Sequence, residues 1–238
     1  MKYIYGPVKS RRLGFSLGIS TVPYKTCPFD CVYCQLNKTV VKTDKRRRYV
    51  DERALLRELE VFWRHKSPET RVDYITFSGS GEPTLHAGIG RLIRGAKKTT
   101  GRPVVVITNS AFLTDEKVRR DLRDADILIP SLDAVTQEIF EKIDQPLPGL
   151  RVEKIIDGLA RFRKEFAGEI WLEVMLVRGI NDAAAHLKEM KKAIDRIHPD
   201  KIQLNSPVRP AAHRWVRSAT RAALREACHI LGPACEIV

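Results

Sequence analysis

Residues 25–36 read Lys25-Thr-Cys-Pro-Phe-Asp-Cys-Val-Tyr-Cys-Gln-Leu36, and a strand-like run leads into them, with Phe15, Leu17 and Ile19 alternating with small residues. Three of the chain's five cysteines, Cys27, Cys31 and Cys34, fall inside this stretch. An odd cluster of thiols cannot pair off as disulfides, so it reads as a metal-ligand density. A structural zinc site closes with four protein ligands, and a four-iron cube is usually held by four thiolates. Three thiolates on such a cube leave one iron open to an outside ligand, and an open position is what catalysis needs. The spacing alone leaves zinc, iron–sulfur and redox-sensing thiols open. A zinc site would have to recruit His65, His86, Cys228 or Cys235 from far along the chain.

Downstream, the pattern alternates regularly. Asp51 predicts an N-cap for a helix carrying Leu55, Leu59, Phe62 and Trp63 on one face. Strands are expected at 72–77, 104–107, 127–132, 170–177 and 202–204, the β-branched run at Val104 being typical of a strand covered on both faces. Helices are expected around 86–98, from a Thr114 cap to Arg123, from a Thr136 cap past Phe140, over 152–162, over 187–197 and over about 216–231. These make six strand–helix units with short links, which implies a parallel sheet with right-handed crossovers. Six units fall short of the eight of a full TIM barrel. No composition break divides the chain, so 1–238 reads as one domain with a cysteine loop at 25–36.

The net charge is +13 and the chain carries 42 Lys and Arg against 29 Asp and Glu. Such a balance suits a polyanionic partner such as RNA. The densest basic run, Lys42-Thr-Asp-Lys-Arg-Arg-Arg48, reads as a solvated loop. No apolar run is long enough to span a membrane, and the first residues show no signal-peptide pattern. The expectation is a reducing cytoplasm with no membrane partner, and oxygen-poor conditions for an exposed cluster.

Ligands bind parallel βα architectures at the C-terminal strand ends. The second strand ends in Phe77-Ser-Gly-Ser-Gly-Glu-Pro-Thr-Leu85, where glycines admit a ligand to the backbone and Glu82 offers an acceptor. The third and fourth strands end in Thr108-Asn109-Ser110 and in Ser131 and Asp133. Glu173 stands inside an apolar strand, and an unpaired buried carboxylate is costly, so it should face a polar cavity lining the cofactor or substrate site. Gln203, Asn205 and Arg209 follow the sixth strand, with Arg209 a candidate anion contact. Cys228, on an apolar helix face, reads as a core residue.

The cysteine loop, with Phe29 and Tyr33 at its apolar and aromatic positions, resembles the cluster loop of the radical S-adenosylmethionine (SAM) superfamily. Ser80-Gly81-Glu82 resembles that family's Gly-Gly-Glu turn, with Ser80 where a glycine is usual. Gly-Pro-Val-Lys-Ser-Arg-Arg-Leu-Gly14, Cys34-Gln-Leu and Gly79-Ser-Gly-Glu-Pro-Thr-Leu85 are similar to the small iron–sulfur oxidoreductases related to the wybutosine-tRNA synthesis enzymes. The resemblance implies an α/β fold, a partial (βα)6 TIM-like barrel. It implies a [4Fe–4S] cluster on Cys27, Cys31 and Cys34, with SAM held near Tyr33, Ser80, Gly81, Glu82, Thr108, Asn109, Ser131, Asp133, Glu173 and Asn205. The implied reaction is reductive SAM cleavage to methionine and a 5′-deoxyadenosyl radical that abstracts hydrogen from a substrate, RNA being one candidate. A low-potential donor such as flavodoxin or ferredoxin would supply the electron. Two rival readings stay open: a glycyl-radical-type protein activase, and a metal-stabilised RNA-binding module without enzymatic activity.

Overall fold

The computed structural model describes residues 1–238. Its strands are β1 (Ile4–Ser10), β2 (Gly14–Ile19), β3 (Thr26–Cys27), β4 (Val41–Lys42), β5 (Tyr74–Phe77), β6 (Val104–Thr108), β7 (Ile127–Pro130), β8 (Glu169–Met175), β9 (Lys201–Asn205) and β10 (Cys235–Ile237). Its helices are α1 (Glu52–His65), α2 (Ile89–Thr100), α3 (Glu116–Leu122), α4 (Gln137–Ile143), α5 (Val152–Glu165), α6 (Ala184–Ile197) and α7 (Arg221–Leu231). One eight-stranded sheet runs β1-β2-β5-β6-β7-β8-β9-β10, and β3 pairs with β4 beside it. From β2 to β10 every pairing in the large sheet is parallel; β1 alone runs antiparallel, against β2. The six strand–helix units are therefore present, flanked by two strands that the sequence pattern does not announce.

The sheet is curled. Neighbouring strands lie about 4.8 Å apart, so in a flat sheet β1 and β9, six steps apart, would be separated by about 29 Å. Yet Arg11, in the turn joining β1 to β2, donates to Asn205 Oδ1 on β9 at 3.3 Å. Arg12 in the same turn meets Glu173 on β8 at 3.0 Å. Curling with helices between consecutive parallel strands is the geometry of a partial TIM-like barrel. Alternate residues of β6 and β7 separate the two faces. Val104, Val106 and Leu128 join the large core beneath the helices, whereas Val105, Ile127 and Ile129 pack with Leu13 and Trp171 in a small second cluster. Leu13 brings the β1–β2 turn against that inner face.

Local chemistry sets several boundaries differently from the sequence expectation. Asp51 caps α1, accepting from the Arg53 and Ala54 amides. Asp115, not Thr114, caps α3, accepting from the Lys117 amide. Thr136 occupies the α4 cap position without a side-chain bond. The helix expected from His86 starts at Ile89, because Pro83–Leu85 first forms a 3-10 turn. The last helix starts at Arg221 rather than near 216, where Thr220 accepts from the Ala223 amide and ends the preceding loop. The basic run is partly anchored: Arg46 bonds the Thr84 carbonyl and Asp121, at 2.9 and 2.8 Å.

Candidate active site

The cysteine loop leaves the C-terminal side of β2 and is tied to the turn after β5. Lys25 N donates to Ser80 O at 2.5 Å and Glu82 N to Thr26 O at 3.1 Å, so Ser80-Gly81-Glu82 runs alongside Lys25-Thr26-Cys27. Gly81 is required by proximity: a Cβ there would lie 2.1 Å from Thr26 O. Lys25 holds a left-handed backbone, φ +53°, uncommon for a side chain of that size. Three bonds fix it, since its carbonyl also accepts from the Val40 and Val41 amides.

Two donors are aimed at cysteine sulfurs. The Lys25 side chain is buried, and its Nζ donates to Cys34 Sγ at 3.1 Å. Asn109 Nδ2 donates to Cys27 Sγ at 3.4 Å. Cys31 Sγ instead donates to Asp144 Oδ1 at 3.2 Å. Burial raises the Cys27 thiol to about 12, with the nearby Glu82 charge adding to it. Burial and then Asp144 raise Cys31 well above the usual thiol range. These thiols are thus protonated without metal, and loading would release their protons.

The three sulfurs have separate partners, and no three Cys, His, Asp or Glu side chains stand close enough to share one metal ion. A single tetrahedral ion would need sulfurs about 3.8 Å apart. A cube with a separate corner for each thiolate suits a spread set better, and N–H donors on thiolate sulfurs are among the contacts that tune such clusters. The donor set therefore fits an iron–sulfur cluster. His86 is engaged elsewhere, its Nδ1 accepting from the Tyr49 amide at 3.1 Å. Cys228 donates to the Cys235 carbonyl at 3.0 Å, far from the loop in the fold's last helix–strand pair.

The remaining expected residues fall into three groups. Glu82 is buried and faces inward, accepting from Thr84 N at 3.0 Å, Thr108 Oγ1 at 2.7 Å and Asn109 N at 2.8 Å, and from the Thr84 hydroxyl. Desolvation raises its pKa against those bonds. Glu82 and Thr108 thus brace the turn, and the backbone of Ser80 and Gly81 is what faces the loop. Asn109, Ser131, Tyr33 and Asp133 line a narrow cleft with Phe29 and Asp144. Within it Tyr33 OH donates to Asp133 Oδ2, and Asp133 Oδ1 accepts from Met175 N at 2.7 Å. Burial raises Asp133 to about 7, and burial followed by the Asp133 charge raises Asp144 well above the carboxylate range. Asp133, expected among the residues near SAM, is therefore already satisfied by protein groups. The third group lies across the curled sheet: Glu173 takes Arg12 at 3.0 Å and Asn205 Nδ2 at 3.3 Å. Arg12 also reaches Gln203 Oε1 at 3.4 Å.

Sequence reasoning gave no role to Lys25, Asp144 or the Arg11–Arg12 turn. A lysine or aspartate carries no local signal of burial, and the partners that define these three are 9, 113 and 161–194 residues away. It also missed that the loop after β9 leans on the cysteine loop. Arg209 Nη1 donates to Gln35 Oε1 at 2.5 Å, and His213 N to Val32 O at 3.3 Å.

The sequence profile of the radical SAM superfamily matches residues 21–198. The chain belongs to this superfamily. The match runs from the end of β2 to the end of α6 and includes every strand end discussed above except that of β9. A UPF0026 protein of Methanocaldococcus jannaschii is 33% identical over 217 residues, covering 91% of this chain and 67% of that protein. A Brachyspira hyodysenteriae protein named GTPase Obg is 40% identical over 218 residues; this chain spans only 32% of its length. Among solved structures, a radical SAM methyltransferase from Sphaerobacter thermophilus superposes with a TM-score of 0.73 at 16% identity, covering 94% of this chain and 66% of that one. The radical SAM fold is thus shared at an identity too low to carry substrate. Radical SAM enzymes use a [4Fe–4S] cluster and SAM, and this chain is such an enzyme.

Proposed function

We propose that Cys27, Cys31 and Cys34 hold the [4Fe–4S] cluster and that the strand ends around them bind SAM for hydrogen abstraction from an anionic substrate, RNA being the leading class. The observation that carries this reading is the pairing of the cysteine loop with the Ser80–Glu82 turn, with Lys25 and Asn109 aimed at two of the sulfurs. When bound, the cluster and SAM supply one-electron cleavage of the sulfonium and a carbon radical able to take a hydrogen atom from a C–H bond. The chain's own contributions are positional. Lys25 places a positive charge beside Cys34 in a buried setting, where charge–charge energies are large. Asn109 joins β6 to the loop through Cys27. Glu82 fixes the turn so that backbone groups of Ser80 and Gly81 face the SAM pocket. Tyr33, Ser131 and Asn109 line the cleft next to the loop, a wall for the nucleoside part of SAM. A low-potential donor of the flavodoxin or ferredoxin type supplies the electron. No helix is long and apolar enough to cross a membrane.

Anaerobic reconstitution with iron and sulfide tests the ligand assignment. The wild type is expected to bind about four irons with the absorbance and reduced-state resonance of a cube. Cys31→Ala is expected to lose that signature while keeping the folded circular-dichroism spectrum. A Cys31→Ala protein with an intact four-iron signal would remove Cys31 from the ligand set.

A further inference from the structure

Several helical cations meet carboxylates: Arg64 with Glu60, Arg94 with Asp124, Lys142 with Glu138 and Lys192 with Glu189 are all at 2.6–2.7 Å. From Asn205 to Arg225 the chain instead has five arginines, no lysine and no carboxylate. Arg209, Arg214 and Arg217 are exposed. Their recorded partners are neutral: Arg209 bonds the Gln35 amide, and Arg217 bonds the carbonyls of Arg214 and Val216. Arg178, at the end of β8, is exposed too and lies beside them, its amide donating to Arg217 O at 3.1 Å. In the middle of this strip stands Trp215, 54% exposed, with the His213 ring 5.6 Å away. The strip reaches the cysteine loop at two points, through Arg209 to Gln35 and through His213 N to Val32 O.

We infer that Arg178, Arg209, Arg214, Arg217 and Trp215 form a docking strip for an unpaired stretch of polynucleotide, delivering one nucleotide to the mouth of the site. Guanidinium forks match phosphate oxygens bidentately. An exposed indole between them provides the face on which an unpaired base stacks. An acidic protein partner would use the charge but has no need of the indole. The inference deepens the proposed function, and it rests on that reading only for the identity of the mouth that the strip flanks.

The test is binding, which requires no SAM cleavage, so its failure is separable from failure of the cluster assignment. The anisotropy of fluorescein-labelled single-stranded RNA and DNA oligonucleotides of one sequence is followed against the reconstituted protein over a range of KCl concentrations. Four phosphate contacts predict a log–log salt slope of about −3. The double variant Arg214→Gln/Arg217→Gln is expected to bind more weakly, with a slope shallower by about 1.4. Trp215→Ala is expected to lose about tenfold in affinity with the slope kept. The pair Lys154→Gln/Arg161→Gln, exposed on α5, is the control and should bind as the wild type. Comparing the RNA and DNA arms identifies which polynucleotide the strip takes. Equal weakening by the control pair, an unchanged affinity in Trp215→Ala, or displacement of the oligonucleotide by polyglutamate at equal charge concentration would overturn the inference.

Discussion

Asp133 shows what one buried side chain does to the whole protein's response to pH. Burial lifts its pKa to about 7, from an ordinary carboxylate value near ~3.9 in the unfolded chain. A group that binds its proton more tightly when folded stabilises the fold at low pH, and that contribution is lost as pH rises through the folded value. Between about pH 4 and 7 the Asp133 contribution therefore falls with rising pH. His86 and His186 work the other way, because burial lowers both; their effect destabilises as pH falls below about 6.5. The informative measurement is thus a comparison. Thermal melts of the metal-free wild type and Asp133→Asn, both of which keep the two histidines, should differ least near pH 4 and separate progressively up to pH 7.5, with the wild type losing stability relative to the variant. Parallel pH profiles would contradict the raised Asp133 pKa. Residues of this kind also mark the boundary of what is legible in sequence. Cys27, Cys31 and Cys34 stand out in the sequence as a thiol cluster, and Asp51 as a residue before an amphipathic run. Asp144 and Lys25 have no such signal, because their roles come from a thiol 113 residues away in one case and from a left-handed backbone in the other.

The coupling of two elements, the cysteine loop and the turn after β5, is what turns a strand end into a candidate active site. The contact works only because Gly81 presents no side chain to Thr26 O. Gly81→Ala should push the two segments apart by a large fraction of an ångström and cost a few kcal/mol, about 1–3, as an overpacking change does. Reconstitution of this variant should give less than the wild-type iron content, measured by iron analysis after gel filtration; full iron content with normal stability would show that the turn does not hold the loop. Element boundaries were readable where a side chain decides them and unreadable where geometry does. Pattern reading located the strands from β2 to β9 that belong to the six units, since buried parallel strands are runs of branched apolar residues. It missed β1, where Gly6-Pro7 interrupts the run and reads as a turn. It missed β10, whose three residues, Cys235–Ile237, are too few to show a period.

At the scale of the molecule, the Arg11–Arg12 turn latches one side of the curled sheet to the other. Arg12 neutralises Glu173, a buried carboxylate on β8, five steps from β1 in the sheet order. Removing the arginine leaves the carboxylate buried and unpaired, which costs roughly 3–5 kcal/mol. Arg12→Ala should therefore lower the urea midpoint sharply, and Arg12→Ala/Glu173→Gln should recover part of the loss. An Arg12→Ala protein as stable as the wild type would mean that the latch contributes nothing to closure. Glu173 was read from sequence as facing a polar cavity because a carboxylate in an apolar strand needs a partner; the partner is a cation from the β1–β2 turn. That identity depends on curvature, which no local pattern encodes.

The central claim is that the cysteine loop and the strand ends beside it make one site for reductive SAM cleavage. The most direct measurement is 5′-deoxyadenosine, detected by mass spectrometry after the anaerobically reconstituted protein is reduced and given SAM together with an RNA extract. The account predicts 5′-deoxyadenosine from the wild type and none from Cys27→Ala, Cys31→Ala or Cys34→Ala. A wild-type protein with a full, reducible cluster that forms no 5′-deoxyadenosine under these conditions, or a cysteine variant that forms it at the wild-type rate, would contradict the claim.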